Sequence, residues 1–316
     1  MSQGLRVNKF PSLGPHGFHR LSYVEWGDSD NPHVVICVHG LTRNARDFDE
    51  LARALAADCR VICLDVAGRG GSDWLDHKED YGFSLYVADA AALIARVAPS
   101  AVVGARRRLF AAPKASRRQQ IDWVGTSMGG LIGMMLASKA RSPIRHLVLN
   151  DIGAMVPWAG LLHLQKAQGA AAPRFESLAD VEAHLRRACE SFGPLDDAQW
   201  SALASRGARR RQDGGYSLDF DPGVIESLRR GAPEELGFGA DFLLGVDLWR
   251  VWDKVKCPTL IVRGERSPLL TPTTVERMMS RGPPAKLVEF AGVGHAPWLK
   301  SAEQIAPIRE FLTAAT

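Results

Sequence analysis

The residues of this 316-residue chain that are best suited to chemistry lie around Ser127, in a Gly-x-Ser-x-Gly pattern. An apolar run at 121–124 precedes the pattern and a helical segment at 131–140 follows it, which predicts a strand, a sharp turn and a helix. A Cβ at Gly125 or Gly129 would clash in so tight a turn, which would hold the serine hydroxyl at the carboxyl end of a sheet. Such a serine can act as a nucleophile, whereas the alternative is a glycine-rich turn in which serine only caps the helix.

A serine hydroxyl is a weak nucleophile until a base takes its proton, and His295 is the candidate base among nine histidines. His295 follows the last apolar run, 287–290, and Gly292 and Gly294 allow its loop to carry the imidazole over the sheet edge. The alternative is a structural histidine whose ring only satisfies buried partners. The flanking glycines would thus let the His295 ring bend toward Ser127 at the sheet edge.

Short apolar runs alternate with segments of helical periodicity, which is typical of a mainly parallel sheet covered by helices. The predicted strands lie at 19–26, 34–38, 60–64, 121–125, 144–150, 258–262 and 287–290, and the clearest helices at 47–57, 84–97, 131–140 and 302–314. We expect the first of these strands at the edge of the sheet. Sites on such sheets gather at the carboxyl ends of the strands.

The pattern predicts one α/β core with an insertion. Residues 1–17 contain several glycines and prolines and have no clear periodicity, so we expect a flexible N-terminal arm. The core comprises 18–153 and 246–316. The segment between them, 154–245, has helical stretches and no convincing buried strand, which predicts a helical cap insertion over the sheet.

Composition argues against several classes of function. The hydrophobic share of 46% and charged share of 23% are ordinary for a globular protein, and a net charge of +4 predicts neither nucleic-acid nor membrane binding. The five cysteines form no Cys-x-x-Cys or Cys/His cluster, so we expect buried reduced thiols and no metal. Met1 to Phe10 lacks the apolar core of a signal peptide, and no stretch approaches a membrane span, so the chain is expected to be cytoplasmic.

Two further patterns could be binding sites, and both have a simpler interpretation. Six basic residues between 106 and 118 could bind an anionic partner, but a solvated loop or helix end is favoured because aromatic residues are scarce among them. The Gly68-Arg69-Gly70-Gly71 segment follows a strand, but it lacks the full spacing of a dinucleotide-binding turn. We expect no cofactor.

Taken in order, these motifs make the chain similar to the α/β-hydrolase superfamily over nearly its full length. His39-Gly40 follows an early strand, Asp65-x-x-Gly68-x-Gly70-x-Ser72 follows the next, and the Ser127 turn, a helical insertion and Gly292-Val293-Gly294-His295 complete the set. The closest resemblance is to cytosolic bacterial ester hydrolases and C–C bond hydrolases with a helical cap. The resemblance implies a mostly parallel eight-stranded sheet flanked by helices.

The resemblance also implies roles for individual residues. Ser127 would be the nucleophile and His295 the base, with the backbone N–H groups of Leu41 and Met128 forming the oxyanion hole. In the family, the residue that matches His39 braces the oxyanion loop, so we do not expect it to transfer a proton.

The sequence departs from the family pattern at the third catalytic residue. Relatives in this group tend to carry an aspartate where this chain has Pro268, and proline cannot orient an imidazole. Asp151, at the end of the strand after the Ser127 helix, and Glu265 are the substitutes. We favour Asp151 because the sheet itself holds a carboxylate at a strand end, although that carboxylate could instead brace a loop.

Substrate contacts are less well specified by the sequence. Aromatic and aliphatic residues of the insertion and its surroundings indicate a partly apolar pocket, although each could instead belong to the core: Trp158, Leu161, Leu162, Phe192, Phe242 and Trp298. Arg43, beside the oxyanion loop, could pair with a substrate carboxylate, which would favour hydroxyacid esters or oligoesters. The alternative for Arg43 is an exposed surface arginine.

The predicted activity is hydrolysis of a carboxylic ester of a small or medium acyl substrate through an acyl-enzyme. The alternatives are a C–C bond or amide hydrolase of a ring-cleavage-type metabolite, and a non-catalytic binding protein of the same fold, for which Pro268 is the best argument. A serine at the turn argues against the halide- and epoxide-opening relatives, which use aspartate there. The expected partner is a small-molecule ester, and a homodimer is left open.

Overall fold

The computed structural model describes residues 4–102, 119–162, 173–227 and 245–314. The strands are β1 (Arg6–Gly14), β2 (Gly17–Trp26), β3 (His33–Val38), β4 (Arg60–Asp65), β5 (Gln120–Thr126), β6 (Ile144–Asn150), β7 (Met155–Pro157), β8 (Arg174–Phe175), β9 (Ala208–Arg210), β10 (Tyr216–Leu218), β11 (Gly245–Asp247), β12 (Thr259–Gly264) and β13 (Ala285–Phe290). The helices are α1 (Asp49–Leu55), α2 (Phe83–Val97), α3 (Pro99–Val102), α4 (Met128–Ala137), α5 (Leu178–Ala188), α6 (Asp197–Gly207), α7 (Trp249–Trp252), α8 (Pro272–Met279) and α9 (Ala302–Thr313).

Eight of the strands form one sheet, in the order β1-β2-β4-β3-β5-β6-β12-β13. Neighbouring strands are parallel from β4 to β13, and β2 and β1 are antiparallel to their neighbours. The central strands read as continuous apolar runs because helices cover both faces of the sheet. The prediction of a mostly parallel eight-stranded sheet flanked by helices is confirmed.

The prediction of a flexible N-terminal arm is wrong for residues 6–14. This segment is the edge strand β1, which pairs with β2 along its whole length and buries Phe10. An edge strand tolerates Pro11 because the side of the strand that lacks a partner needs no N–H donor. The ladder that stabilises β1 comes from a neighbouring strand, and local composition carries no information about such a partner.

Two hydrophobic cores lie on the two faces of the sheet. On one face, α2 and α4 pack against the sheet strands, and α7 and α8 contribute buried residues to the same core. On the other face, α1 and α9 supply the buried aliphatic residues. These cores fix the positions of β3, β5, β6 and β13, whose carboxyl ends carry the candidate site residues.

The segment 154–245 contains more short strands than its periodicity indicates. Helices α5 and α6 pack against each other around a separate apolar cluster, and β8, β10 and β9 form a small sheet. Strands β7 and β11 pair at the two ends of the segment, and the first two residues of each are buried. Strands of two or three residues are too short to produce a periodic signal.

All five cysteines have free thiols. Four are buried, as predicted, and Cys257 is half-buried. Within the described ranges, no helix is both long and apolar enough to cross a membrane. The basic stretch at 106–118 lies outside the described residues, as does Phe242.

A buried carboxylate at the amino end of β5 should make stability depend on pH. Burial opposes ionisation of Asp122, but the approach of His146 Nδ1 to 3.5 Å and hydrogen bonds from His33 and Arg145 hold its pKa far below its ordinary value of 3.8. The Arg145 guanidinium approaches this carboxylate to 2.6 Å. Because the pKa is lower in the folded state, the stabilisation is present above about pH 4 and is lost as the pH falls below it.

We therefore expect Asp122→Asn to lower the free energy of unfolding by about 2–4 kcal/mol at about pH 7, since it leaves the half-buried Arg145 guanidinium without its carboxylate. Urea titrations of wild type and variant at about pH 7 and about pH 3.5 check this, and the difference should shrink at the lower pH. If the difference in unfolding free energy between wild type and variant is the same at both pH values, the effect comes from packing and not from charge.

Candidate active site

Ser127 lies in a strained turn between β5 and α4. Its backbone has φ 51° and ψ −115°, a conformation that non-glycine residues rarely adopt. A Cβ at Gly125 would overlap the backbone of Gly129, and a Cβ at Gly129 would overlap the carbonyl of Val38 at the end of β3. The predicted need for both glycines is confirmed, and the close approach holds the Ser127 hydroxyl at the carboxyl end of the sheet.

The structure brings Ser127, His295 and Asp151 into one chain of hydrogen bonds. Ser127 Oγ lies 3.0 Å from His295 Nε2, and His295 Nδ1 lies 2.7 Å from Asp151 Oδ2. The imidazole and the carboxylate are buried, whereas Ser127 is half-buried. This order of hydroxyl, imidazole and carboxylate is the one that activates a serine for attack on a carbonyl.

Asp151 is held from two sides. Gly264, at the end of β12, donates its N–H to Oδ1 at 2.8 Å, and the Ser267 hydroxyl donates to Oδ2 at 2.5 Å. Its own N–H donates to the Val262 carbonyl. The carboxylate is therefore fixed in orientation toward His295.

Ser267 is a residue whose role the sequence reasoning missed. It directly precedes Pro268, in the loop where relatives tend to carry their acid, and it supplies the hydroxyl that holds Asp151. Its Oγ also accepts the N–H groups of Leu269 and Leu270. The signal in the sequence was the serine beside Pro268. A short polar side chain there can reach the space that the aspartate of the relatives would occupy.

Glu265 lies elsewhere. Its exposed carboxylate accepts the N–H of Gly292 at 2.7 Å and so braces the turn before His295. Among the described residues, Asp151 is the carboxylate that reaches the His295 ring. The geometry therefore favours Asp151 over Glu265 as the partner of the imidazole.

The loop after β3 lies directly against the turn that carries Ser127. A Cβ built on Gly40 would lie 3.7 Å from the Ser127 Cβ. His39 donates from Nδ1 to the Gly40 carbonyl at 2.7 Å and accepts the Val66 N–H at Nε2. Burial lowers the pKa of His39 to about 3, so the ring is neutral and can play both parts. These bonds fit the expected bracing role of His39.

Two loops meet at Ser127, and each is followed by one of the residues expected to form the oxyanion hole, Leu41 and Met128. Leu41 comes after the His39-Gly40 turn, and Met128 is the first residue of α4. The N–H groups of a helix's first turn have no acceptor within the helix, so that of Met128 is available to a ligand. Arg69 contacts both residues, donating from Nε to the Leu41 carbonyl at 2.9 Å and from Nη2 to Met128 Sδ at 3.5 Å.

Arg43 is neither exposed nor a free cation. Its guanidinium binds Asp47 through two hydrogen bonds of 2.8 and 2.6 Å, and it lies over the Trp298 ring. The interpretation as an exposed surface arginine is therefore wrong. The hypothesis of a substrate-carboxylate anchor loses support, because Asp47 already neutralises the charge.

Aromatic side chains form a wall beside His295. The Phe192 ring lies 6.1 Å from that of His295 and 5.1 Å from that of Trp298, and Trp200 contacts Trp298 edge-on. Gly294, in the loop that carries His295, donates its N–H to the carbonyl of Ser191. This bond ties the loop to the segment that carries Phe192. Trp298 is thus near the candidate site, although it packs mainly against the cluster of α5 and α6.

The other suggested pocket residues lie in different surroundings. Trp158 and Leu161 are partly buried against the large core that contains α2 and α4. Leu162 is 56% exposed. The structure thus places the apolar wall of the candidate site on Phe192 and Trp298, and Trp158 belongs to the edge of the core.

Among the described residues, one cluster of side chains that could bind a metal lies away from the candidate active site. The spacing of these residues in the sequence did not predict it. His16, His77 and Glu79 are exposed, and their ligand atoms lie within 4.8 Å of one another. The two imidazoles stack at 4.0 Å, and each already contacts a carboxylate, Asp80 for His16 and Glu79 for His77. Hydrogen bonds to these carboxylates and the ring stacking account for the cluster, so we assign it no metal.

Comparison with known proteins points to hydrolases. A model of the alpha/beta hydrolase family matches residues 35–308. The chain is 38% identical over 318 residues to a 3-hydroxybutyrate-oligomer hydrolase of Cupriavidus necator, with 100% of each chain covered. A putative hydrolase from Rickettsia typhi superposes with a TM-score of 0.82 at 29% identity, over 99% of this chain and 100% of that one. An alpha/beta hydrolase from Novosphingobium aromaticivorans gives 0.75 at 32% identity, over 97% and 98%.

Proposed function

Because the chain belongs to the alpha/beta hydrolase family, we propose that it is a serine hydrolase that cleaves a carboxylic ester through an acyl-enzyme. The observation that carries the proposal is the hydrogen-bonded series of Ser127, His295 and Asp151. Each member comes from a different loop at the carboxyl edge of the sheet, and each is held by bonds of its own. A protein that only binds ligands would have little physical reason to maintain this geometry.

The first half of the reaction forms the acyl-enzyme. Ser127 Oγ attacks the ester carbonyl carbon while His295 Nε2 takes its proton, and the carbonyl π electrons move to the oxygen. The N–H groups of Leu41 and Met128 stabilise that oxyanion. Asp151 holds the imidazole in the required tautomer and stabilises the imidazolium. His295 then gives the proton to the leaving alcohol as the carbon–oxygen bond breaks.

The second half releases the acid. Water enters the space that the alcohol has left, His295 takes one of its protons, and the hydroxyl oxygen attacks the acyl carbon. The oxyanion again forms between Leu41 and Met128. Its collapse breaks the bond between the acyl carbon and Ser127 Oγ, which takes back a proton from His295. The balance is one ester and one water consumed for one acid and one alcohol. The free thiols of the chain fit a reducing compartment, and we place the reaction in the cytoplasm.

For the substrate we propose short oligoesters of a hydroxyacid. The relative with 38% identity along the whole chain is named for hydrolysis of 3-hydroxybutyrate oligomers. The Phe192 and Trp298 rings beside His295 suit a short branched acyl chain, which has methyl groups to bury and no long alkyl tail.

The test is release of monomer from the 3-hydroxybutyrate dimer and trimer, followed by chromatography, beside a panel of short p-nitrophenyl esters. We expect turnover of the oligomers with kcat/KM above that for simple esters of equal acyl length. A vinylogous 1,5-diketone serves as the comparison substrate. Cleavage of the diketone with no cleavage of any ester would replace our proposal with the C–C hydrolase alternative.

Arg43 provides a prediction about how the acidic end of such an oligomer is recognised. Because Asp47 already binds its guanidinium, we expect Arg43→Ala to change the KM of the dimer acid and of its methyl ester by the same factor. The measured quantity is the KM of the dimer acid divided by the KM of its methyl ester, so a general loss of fold stability does not affect it. A rise of this ratio by about tenfold or more in Arg43→Ala would restore Arg43 as the carboxylate anchor.

A further inference from the structure

Arg69 contacts both residues that would form the oxyanion hole. It lies in the loop after β4 and is completely buried. Its Nε donates to the carbonyl of Leu41 at 2.9 Å, and its Nη2 lies 3.5 Å from the sulfur of Met128. Nη1 donates to the carbonyl of Ala67 and to the hydroxyl of Tyr86. One side chain thus joins the loop after β3, the loop after β4 and the start of α4.

The charge of Arg69 is buried among neutral acceptors. Burying a guanidinium is costly, and buried arginines normally pair with a carboxylate. In the part of the chain that the structure describes, the Arg69 guanidinium donates to two backbone carbonyls, a tyrosine hydroxyl and a methionine sulfur, and no carboxylate forms an ion pair with it. Its acceptors are neutral, and the Tyr86 ring, 4.9 Å away, adds a cation–π contact. The positive charge is therefore solvated by dipoles and is not cancelled.

The effect of this charge extends to the oxyanion loop. Burial is the main reason for the low pKa of His39, and the positive charge of Arg69 lowers it further. His39 directly precedes the Gly40-Leu41 pair that faces Ser127. A cation that disfavours positive charge at His39 also favours negative charge that develops beside the same loop, since buried charges are screened much less than exposed ones.

We propose that Arg69 is a positioning residue of the oxyanion hole, which holds Leu41 and Met128 in place and electrostatically favours the negative charge of the tetrahedral intermediate. This assignment rests on the proposed serine hydrolase function. It differs from a purely structural role, in which Arg69 would only keep the loop after β4 folded. Loss of an interaction that strengthens as charge develops lowers kcat, whereas a structural defect lowers stability.

Arg69→Met and Arg69→Lys separate these roles, because methionine removes the charge and lysine keeps it. Ser72→Ala is the matched control from the same loop. The Ser72 hydroxyl donates to the Asp65 carbonyl and accepts the Ser22 N–H, without contacting Leu41 or Met128. The control should therefore weaken the loop without changing the charge at the candidate site.

The readouts are kcat and KM for a short p-nitrophenyl ester, the unfolding temperature, and inhibition by a trifluoromethyl ketone. Such a ketone bonds to Ser127 Oγ, whose proton passes to His295, and its carbonyl oxygen becomes an oxyanion. We expect Arg69→Met to lower kcat by about tenfold or more, below the hundred- to thousandfold of a direct donor, with little change in KM. Ketone affinity should fall by the same factor, and Arg69→Lys should recover part of both.

Three results would overturn the assignment. Ketone affinity that stays at the wild-type value while kcat falls would remove the electrostatic part. A kcat in Arg69→Lys no higher than in Arg69→Met, or losses that follow unfolding temperature as in Ser72→Ala, would leave a structural role. If Arg69→Met does not fold, Arg69→Gln, which also removes the charge, takes its place in these comparisons. A wild type with neither ester turnover nor fluorophosphonate labelling at Ser127 would instead refute the serine hydrolase proposal.

Discussion

Ser127→Ala should lower kcat/KM for short esters by about 10⁴- to 10⁶-fold, while leaving the fold intact. The Ser127 hydroxyl is the side chain that bonds to the acyl carbon in the proposed mechanism, and the remaining activity would come from the oxyanion hole and substrate binding. Alanine removes a single oxygen atom, and the strained backbone of the turn is the same for serine and alanine. The unfolding temperature should therefore change little. The measurement is ester hydrolysis with circular dichroism and thermal unfolding as controls for folding.

An alanine variant that retains more than about a tenth of wild-type activity would contradict the assignment of Ser127 as nucleophile. Contaminating esterases are the usual source of residual rate. Wild type and variant are therefore purified in parallel and titrated with a fluorophosphonate, which counts reactive serines in each preparation.

Asp151→Asn should lower kcat by about 10⁴-fold, with a much smaller effect on KM. Asparagine keeps the shape of the side chain, but its amide cannot stabilise the imidazolium that forms at His295, 2.7 Å away. The amide group can also select the wrong tautomer of the imidazole. A fall in kcat at nearly constant KM is the expected signature, since the interaction matters most in the transition state.

Glu265→Gln is the matched control, because it makes the same carboxylate-to-amide change in the exposed side chain that braces the turn at Gly292. We expect its kcat to stay within about threefold of wild type. Loss of activity in Glu265→Gln with retention in Asp151→Asn would show that the acid comes from the loop after β12. Loss in both variants would be resolved by Glu265→Ala with thermal unfolding, which reports on damage to the turn.

Most of the sheet could be predicted from the sequence because its signals are local. The runs that became β3, β4, β6 and β12 are apolar on both faces, as buried parallel strands must be. The edge strand β1 could not be predicted in this way. Its residues carry glycine and proline, and its stability comes from pairing with β2 across the turn at Gly14 and Gly17.

The candidate site likewise contains residues that local sequence could predict and residues that it could not. Ser127 and His295 could be located because glycines at fixed spacing are needed to build their turns. The supports of the site are contacts between distant segments. Ser267 reaches Asp151 across 116 positions, and Arg69 reaches Met128 across 59. Asp47 lies only four positions from Arg43, so that ion pair is a local contact, but the position of Arg43 over the Trp298 ring depends on a distant segment.

The most direct test of the serine hydrolase proposal is intact-mass spectrometry of the protein after incubation with a fluorophosphonate or a slowly hydrolysed p-nitrophenyl ester. The account predicts one adduct per chain, mapped to Ser127 by peptide analysis, absent from Ser127→Ala and formed much more slowly in Asp151→Asn. A folded wild type with no adduct, or with an adduct at another residue, would contradict it.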